Sequence, residues 1–116
     1  MSTITRHHSD ARLSRAVVHN GVVYLAGTTA DTRGASSKVQ TEEILAKIDA
    51  LLKLSGSDKS RLLSAVVYVA DMRVKPGMDE AWMAWMGAGH SPARATVVAR
   101  LGSADTLVEI MCGAAK

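Results

Sequence analysis

The segment that most constrains the fold is the run 63–70 (Leu-Ser-Ala-Val-Val-Tyr-Val-Ala), where Ser64 interrupts an otherwise apolar and aromatic sequence. Its β-branched residues favour an extended strand. A strand with so little alternation between polar and apolar residues is typical of the centre of a sheet, covered on both faces. We therefore expect a central strand, for which the rest of the chain supplies neighbours and cover.

Two amphipathic helices are predicted, one before and one after this strand in the sequence. Residues 39–54 and 76–86 repeat apolar side chains at the three- and four-residue spacing of one helical face. Gly56 lies just beyond the expected end of the first helix, and Pro76 suits the first turn of the second. Each helix thus has one apolar stripe that must pack against a sheet.

Four further strands are predicted around these elements. The runs 15–18 and 22–26 flank His19-Asn20-Gly21, and Asn-Gly is typical of a tight hairpin turn. Residues 94–101 and 106–114 are separated by a short polar segment, and we expect them to pair as a second antiparallel hairpin.

The element order predicts a single domain over residues 1–116, of the α+β class. Its two layers are a mostly antiparallel sheet and two helices on one face. Residues 1–11 are polar and aperiodic, which indicates a loose N-terminal arm or an early edge strand. The second face of the sheet has no cover within the chain. Alternate Val, Leu and Met residues on that face predict burial by other subunits in a homo-oligomer.

Composition excludes several classes of function. The net charge of +3 is small, the 14 Lys and Arg residues are scattered, and Phe is absent. Nucleic-acid binding is not expected, because it needs clustered basic residues or aromatic stacking platforms. No stretch has the roughly 20 apolar residues of a membrane span or the apolar core of a secretory signal, so we expect a cytoplasmic protein without membrane contact.

No metal or cofactor site is expected either. The histidines at 7, 8, 19 and 90 have no partner at metal-ligand spacing, and no glycine-rich phosphate-binding motif occurs. Cys112 is the one cysteine, which excludes an internal disulfide. In a strand, such a residue is most often an inert apolar side chain.

The two C-terminal strands each carry a charge among apolar neighbours. By alternation, Arg94 and Thr96 share one face of the first strand, and Glu109 is predicted on the same side of the sheet, facing no helix. In a simple hairpin Glu109 would face Val98, which separates Arg94 and Glu109 by roughly 13 Å. The two charges then share a site only across a subunit boundary. The alternative is that both are solvent-exposed surface charges.

The sequence Ser-Pro-Ala-Arg-Ala-Thr-Val at 91–97, followed by Val-Glu-Ile at 108–110, resembles the C-terminal signature of the Rid family, the RidA/YjgF-type reactive intermediate deaminases. Val-Tyr-Leu-Ala-Gly at 23–27 matches as well, and the resemblance extends over about 13–114. It implies a chorismate-mutase-like fold and a homotrimer with clefts between subunits. It further implies cofactor-free hydrolysis of 2-imino acids and enamines to 2-keto acids and ammonia, as by a 2-iminobutanoate/2-iminopropanoate deaminase.

The resemblance also implies roles for individual residues. Arg94 matches the arginine that binds the substrate carboxylate, a task that suits the planar guanidinium fork. Glu109 matches the glutamate that orients or activates the attacking water as a general base. Thr96 would contact the substrate through its backbone, and Ala26 and Gly27 would line the cleft.

This sequence departs from the family pattern at three positions. Leu13 stands where many relatives have a tyrosine that lines the cleft, and Ala26 and Thr28 replace a common Ser and Gln. We therefore expect a divergent branch with an altered pocket. One alternative is a trimer that binds or senses small carboxylates, such as 2-keto acids, without turnover. A less favoured one is a ribonuclease or translation inhibitor.

Overall fold

The expected central strand is present, as Leu62–Val69 of a computed structural model that describes residues 3–116. The strands are β1 (Thr5–Ser9), β2 (Ser14–His19), β3 (Val22–Leu25), β4 (Thr28–Thr29), β5 (Leu62–Val69), β6 (Ala93–Val98) and β7 (Val108–Ala115). The helices are α1 (Ser37–Leu54) and α2 (Lys75–Met86), with 3₁₀ turns at Lys59–Arg61 and Met72–Val74. The predicted two-layer α+β class is confirmed: one mostly antiparallel sheet carries both helices on one face.

The strands form one sheet in the order β1-β2-β3-β7-β5-β6, with β4 also paired to β7. Every pairing is antiparallel except that of β5 with β6. Along β5, Ala65, Val67 and Val69 are buried beneath the helices, whereas Leu63 on the outward face is 52% exposed. The position of this strand matches the prediction, but within a single chain only its helix-facing side is covered.

The first predicted hairpin is confirmed. His19 pairs with Val22, and Asn20 and Gly21 between them have φ values of 50° and 75°. Two consecutive positive φ values are the requirement of a type I′ turn, and Asn-Gly meets it at little steric cost. This turn sets the register of β2 against β3.

The second predicted hairpin is wrong. Strand β6 runs parallel to β5 at the edge of the sheet, and β7 lies on the other side of β5. The reason is α2, which carries the chain back to the starting end of β5, so that the next strand adds in parallel. Strand β7 then occupies the slot between β3 and β5, where it makes ladder hydrogen bonds on both edges.

The N-terminal segment is an edge strand rather than a loose arm. Thr5–Ser9 pairs antiparallel with β2, with His7 opposite Ala16. Residues 1 and 2 of the expected arm lie outside the described residues. Within 3–116, no helix combines the length and the apolar character needed to cross a bilayer.

Helix α1 connects the core to the segment that precedes β7. Its N-cap is Ser36, whose side chain accepts a hydrogen bond from the Val39 N–H. The buried Gln40 donates to the Asp105 carbonyl and accepts from the Leu107 N–H. These bonds satisfy a polar side chain in the interior and secure the entry to β7.

Candidate functional site

The sheet register places the two charges expected at the site on opposite faces. Arg94 pairs with the buried, helix-facing Ala65, which in turn pairs with Cys112. Glu109 pairs with Tyr68 on the outward face. The prediction that Arg94 and Glu109 share a face is therefore wrong. It placed both charged faces away from the helices, whereas Arg94 lies on the helix-facing side with Ala65 and only Glu109 lies on the outward side. Two strand spacings and three residues separate their Cα atoms by roughly 14 Å.

Arg94 lies against helix α2. Its Nη2 donates to Asp79 Oδ1 at 2.7 Å, and its Cζ lies 5.1 Å from the centre of the Trp82 ring. Nη1 is 3.8 Å from Met78 Sδ. Only 22% of the Arg94 side chain is exposed, so the guanidinium is largely enclosed by these three contacts.

Asp79 is shared between two cations. Lys75, one turn earlier on α2, donates from Nζ to Asp79 Oδ2 at 2.5 Å, while Arg94 takes the other oxygen. Burial alone would raise the pKa of the Asp79 carboxyl, but the hydrogen bonds from Lys75 and Arg94 outweigh it and lower that pKa below its ordinary value. The carboxylate is thus ionised at neutral pH and holds both cations.

Glu109 lies on the outward face beside Gly27. A Cβ on residue 27 would be 3.1 Å from Glu109 Cδ and would overlap Oε2. Thr29 of β4 and Tyr68 of β5 are its register partners on the neighbouring strands. Among residues 3–116 the Glu109 carboxylate makes no hydrogen bond or ion pair. It therefore stands beside the half-buried Gly27 with its acceptor capacity unused.

The other residues expected at the site lie in three places. Thr96 shares the helix-facing side of β6 with Arg94 and is half-buried. Ala26 and Gly27 connect β3 to β4, and the Ala26 N–H donates to the Arg15 carbonyl. Leu13 lies in the β1–β2 turn, 37% exposed, where its N–H donates to Asp10. One chain thus brings Gly27 to Glu109, and Thr96 to Arg94, but does not join the two pairs.

Sequence reasoning missed the acidic partner of Arg94. The apolar stripe on residues 76–86 is confirmed as core by the buried Met78, Trp82 and Met86. Asp79, beside that stripe, was not predicted as a site residue. The available signal was the Lys75–Asp79 spacing of four residues, which pairs side chains on a helix. Its link to Arg94 depends on how α2 packs against β6.

Other chemistries find little support in the residues described. Among residues 3–116 no three His, Cys, Asp or Glu side chains lie close enough to hold a metal ion. Burial raises the pKa of the Cys112 thiol to about 12, which disfavours the nucleophilic thiolate. A cavity of about 560 Å³ at Arg100, Leu101 and Thr106 includes neither Arg94 nor Glu109.

The outward face of the sheet is apolar and uncovered. Tyr24, Leu63, Val97 and Met111 are each at least 43% exposed, although they lie on the sheet and not on a loop. A groove of about 320 Å³ runs over Tyr24, Leu63 and Met111. Glu109 therefore stands at a surface whose composition is that of a protein interface.

Comparison with known proteins gives consistent matches over nearly the whole chain. The family model described as Endoribonuclease L-PSP matches residues 3–116. The RutC family protein YoaB of Escherichia coli is 42% identical over 113 residues, which cover 97% of this chain and 98% of that protein. A crystal structure of a YjgF family member from Neisseria meningitidis superposes with a TM-score of 0.95 at 40% identity, covering 98% and 95% of the two chains. The Reactive Intermediate Deaminase A of Arabidopsis thaliana chloroplasts is 29% identical over 105 residues, 85% of this chain and 56% of that protein.

Proposed function

Because this chain belongs to the Rid family, the YjgF and RutC proteins, we propose that it is a deaminase that hydrolyses 2-imino acids and their enamine tautomers to 2-keto acids and ammonia. The distant plant relative, which carries the name reactive intermediate deaminase, supports the reaction class. The observation that carries the proposal is the unpaired Glu109 carboxylate beside Gly27 on an accessible face.

In this proposal Glu109 serves as the general base. It accepts a proton from water as the oxygen attacks C2 of the protonated imine, and the C=N double bond becomes a single bond. The same carboxyl then returns the proton to nitrogen. As the C–N bond breaks and the C=O bond forms, Glu109 takes the hydroxyl proton and passes it to the departing ammonia, which leaves as ammonium. The sum is iminium acid plus water to 2-keto acid plus ammonium. Gly27 lies beside the Glu109 carboxylate, and in this proposal its backbone lines the reacting centre together with that of Ala26.

Arg94 binds the substrate carboxylate. The guanidinium has five N–H donors, of which Asp79 and Met78 each accept from one, and the other three can meet a carboxylate in the paired geometry that lysine lacks. Since Arg94 and Glu109 occupy opposite faces of one sheet, a site that uses both needs two chains. We therefore propose a homotrimer with the site at each subunit boundary, and the exposed apolar face around Met111 supports this assembly.

The test generates 2-iminobutanoate in solution with a threonine dehydratase and follows its conversion to 2-ketobutanoate. The wild-type protein is expected to accelerate this step. Glu109→Gln is expected to lower kcat by about 100-fold, as loss of a general base does, and Arg94→Ala to raise KM. Glu80→Gln, which removes an exposed carboxylate of α2, is the matched control and keeps full activity.

Two results would replace this proposal with an alternative. Thermal stabilisation by 2-ketobutanoate without any acceleration of imine decay would indicate a carboxylate-binding protein. RNA cleavage, or RNA binding that weakens steeply with salt, would support the function in the name of the matching family model. The scattered positive charge of this chain argues against that second result.

A further inference from the structure

The cluster of Lys75, Asp79, Trp82 and Arg94 contains more contacts than binding a carboxylate requires. Arg94 meets α2 in three ways: an ion pair with Asp79, a ring contact with Trp82 and a sulfur contact with Met78. Asp79 and Arg94 side chains are each 22% exposed, so their ion pair is partly removed from water. Such a pair orders its members more strongly than an exposed one does.

The geometry fixes the guanidinium while it leaves donors unused. Asp79 accepts from Nη2 alone, and Trp82 packs against the guanidinium instead of competing for its N–H groups. Nε and the remaining η hydrogens have no oxygen partner among residues 3–116. Arginine side chains lose much conformational entropy when they are held in one place. Here Asp79 and Trp82 already order the Arg94 side chain in the free protein, so ligand binding does not have to.

We propose that Asp79 is a positioning residue for Arg94: it holds the guanidinium in the orientation in which the substrate carboxylate binds. This inference rests on the proposed deaminase function, in which Arg94 is the carboxylate-binding residue. Asp79 itself does not touch the substrate. Lys75 contributes indirectly, because it occupies the second carboxylate oxygen and prevents Asp79 from rotating away.

Competition between Asp79 and the substrate carboxylate is the opposite possibility, and the charges argue against it. Two cations share the single negative charge of Asp79, so the cluster retains a net charge of +1 toward an incoming anion. Moreover, Lys75 donates to Asp79 at 2.5 Å and so holds the carboxylate on the α2 side. Removal of Asp79 therefore weakens substrate binding, because the loss of a fixed Arg94 orientation outweighs the gain of one free N–H donor.

The first measurement needs no substrate. The Nη2–Hη resonance of Arg94, the group that donates to Asp79, is recorded by ¹⁵N NMR in the wild type and assigned by its absence in Arg94→Lys. We expect slow hydrogen exchange in the wild type and at least several-fold faster exchange in Asp79→Ala. Asp79→Asn keeps the shape and one acceptor oxygen and is expected to fall between the two. Glu80→Gln, one residue further along α2, is the control and should leave the resonance unchanged.

The second measurement is kinetic. In the dehydratase-coupled assay, Asp79→Ala is expected to raise KM about tenfold, the low end for loss of a hydrogen bond to a charged group, with kcat within about twofold. In the Arg94→Ala variant, adding Asp79→Ala should not raise KM further, because Asp79 acts on substrate binding only by positioning Arg94. A purely structural role would instead lower the amount of folded protein without this selective rise in KM.

The inference is overturned if Asp79→Ala and Asp79→Asn both leave exchange at Arg94 unchanged, or if they lower KM, as competition requires. Failure of the proposed function is a different result: the wild type itself then gives no turnover. In that case the exchange measurement still decides whether Asp79 holds Arg94, and binding of 2-ketobutanoate replaces KM as the second readout.

Discussion

Gly27 provides the sharpest test of the site geometry on the outward face. Replacement by alanine adds one methyl group, which would lie 3.1 Å from Glu109 Cδ and overlap the carboxylate oxygen. Carbon atoms in contact normally stay about 3.5–4.0 Å apart. The Glu109 carboxylate must therefore move by about 0.5–1 Å, because its backbone is fixed by the ladder hydrogen bonds to β4 and β5.

The expected outcome of Gly27→Ala is loss of activity without loss of the fold. The backbone at residue 27 lies outside the left-handed region, and the clash involves only the end of a flexible side chain. The free energy of unfolding should therefore change by less than about 1 kcal/mol. A displacement of about 1 Å at a general base costs on the order of 100-fold in rate, or about 2.7 kcal/mol of transition-state stabilisation.

The assay compares kcat/KM in the dehydratase-coupled reaction with stability in urea for the same preparations. Gly102→Ala is the matched control, since Gly102 also avoids the left-handed region and its added Cβ would meet nothing within 4 Å. Wild-type kcat/KM in Gly27→Ala would refute the assignment of Glu109 as the base. A loss of stability above about 3 kcal/mol would show instead that the site is rigid and that Gly27 serves packing.

Two further predictions concern assembly and the cysteine. Met111→Asp places a charge on the exposed apolar face of the sheet and should convert the proposed trimer to smaller species, measured by light scattering after gel filtration. Met83→Asp is the control and should leave the trimer intact, because Met83 is 64% exposed on the outer surface of α2. Equal behaviour of the two variants would argue against that interface. Cys112, with a pKa raised to about 12 by burial, should be about one part in ten thousand thiolate at pH 8 and should resist a thiol reagent until the protein is unfolded in urea. Rapid labelling of the native protein would contradict the burial of this thiol.

Local patterns in the sequence were sufficient for most elements of the fold. The Asn20-Gly21 dipeptide predicted its hairpin, because few residues tolerate two successive positive φ values. The apolar periodicity predicted α1 and α2, since apolar residues at helical spacing form one stripe that a small domain buries against its core. The N-terminal segment was less defined: its polar residues are compatible with a loose arm, and only pairing with β2 makes Thr5–Ser9 a strand.

The order of the strands was beyond the reach of such patterns. A short segment between two strand-like runs favours a hairpin, but β6 and β7 do not pair. Strand neighbours are selected by contacts between residues far apart in the chain. Here these are the packing of α2 into the core and the ladder that β7 forms with both β3 and β5. The face assigned to Arg94 was wrong for a related reason. Alternation shows which residues of a strand share a face, but only the pairing with the buried Ala65 shows that this face meets the helices.

The sequence by itself determined the family and the α+β class and made Arg94 and Glu109 candidates, because a motif such as Pro-Ala-Arg and the periodicity of a helix are properties of neighbouring residues. Only the tertiary structure decided their surroundings. It placed Glu109 against Gly27 and separated both from Arg94, which it fastened to Asp79 instead. These contacts join residues 15 to 82 positions apart, and their formation depends on which faces of the sheet and helices meet, which no local pattern encodes.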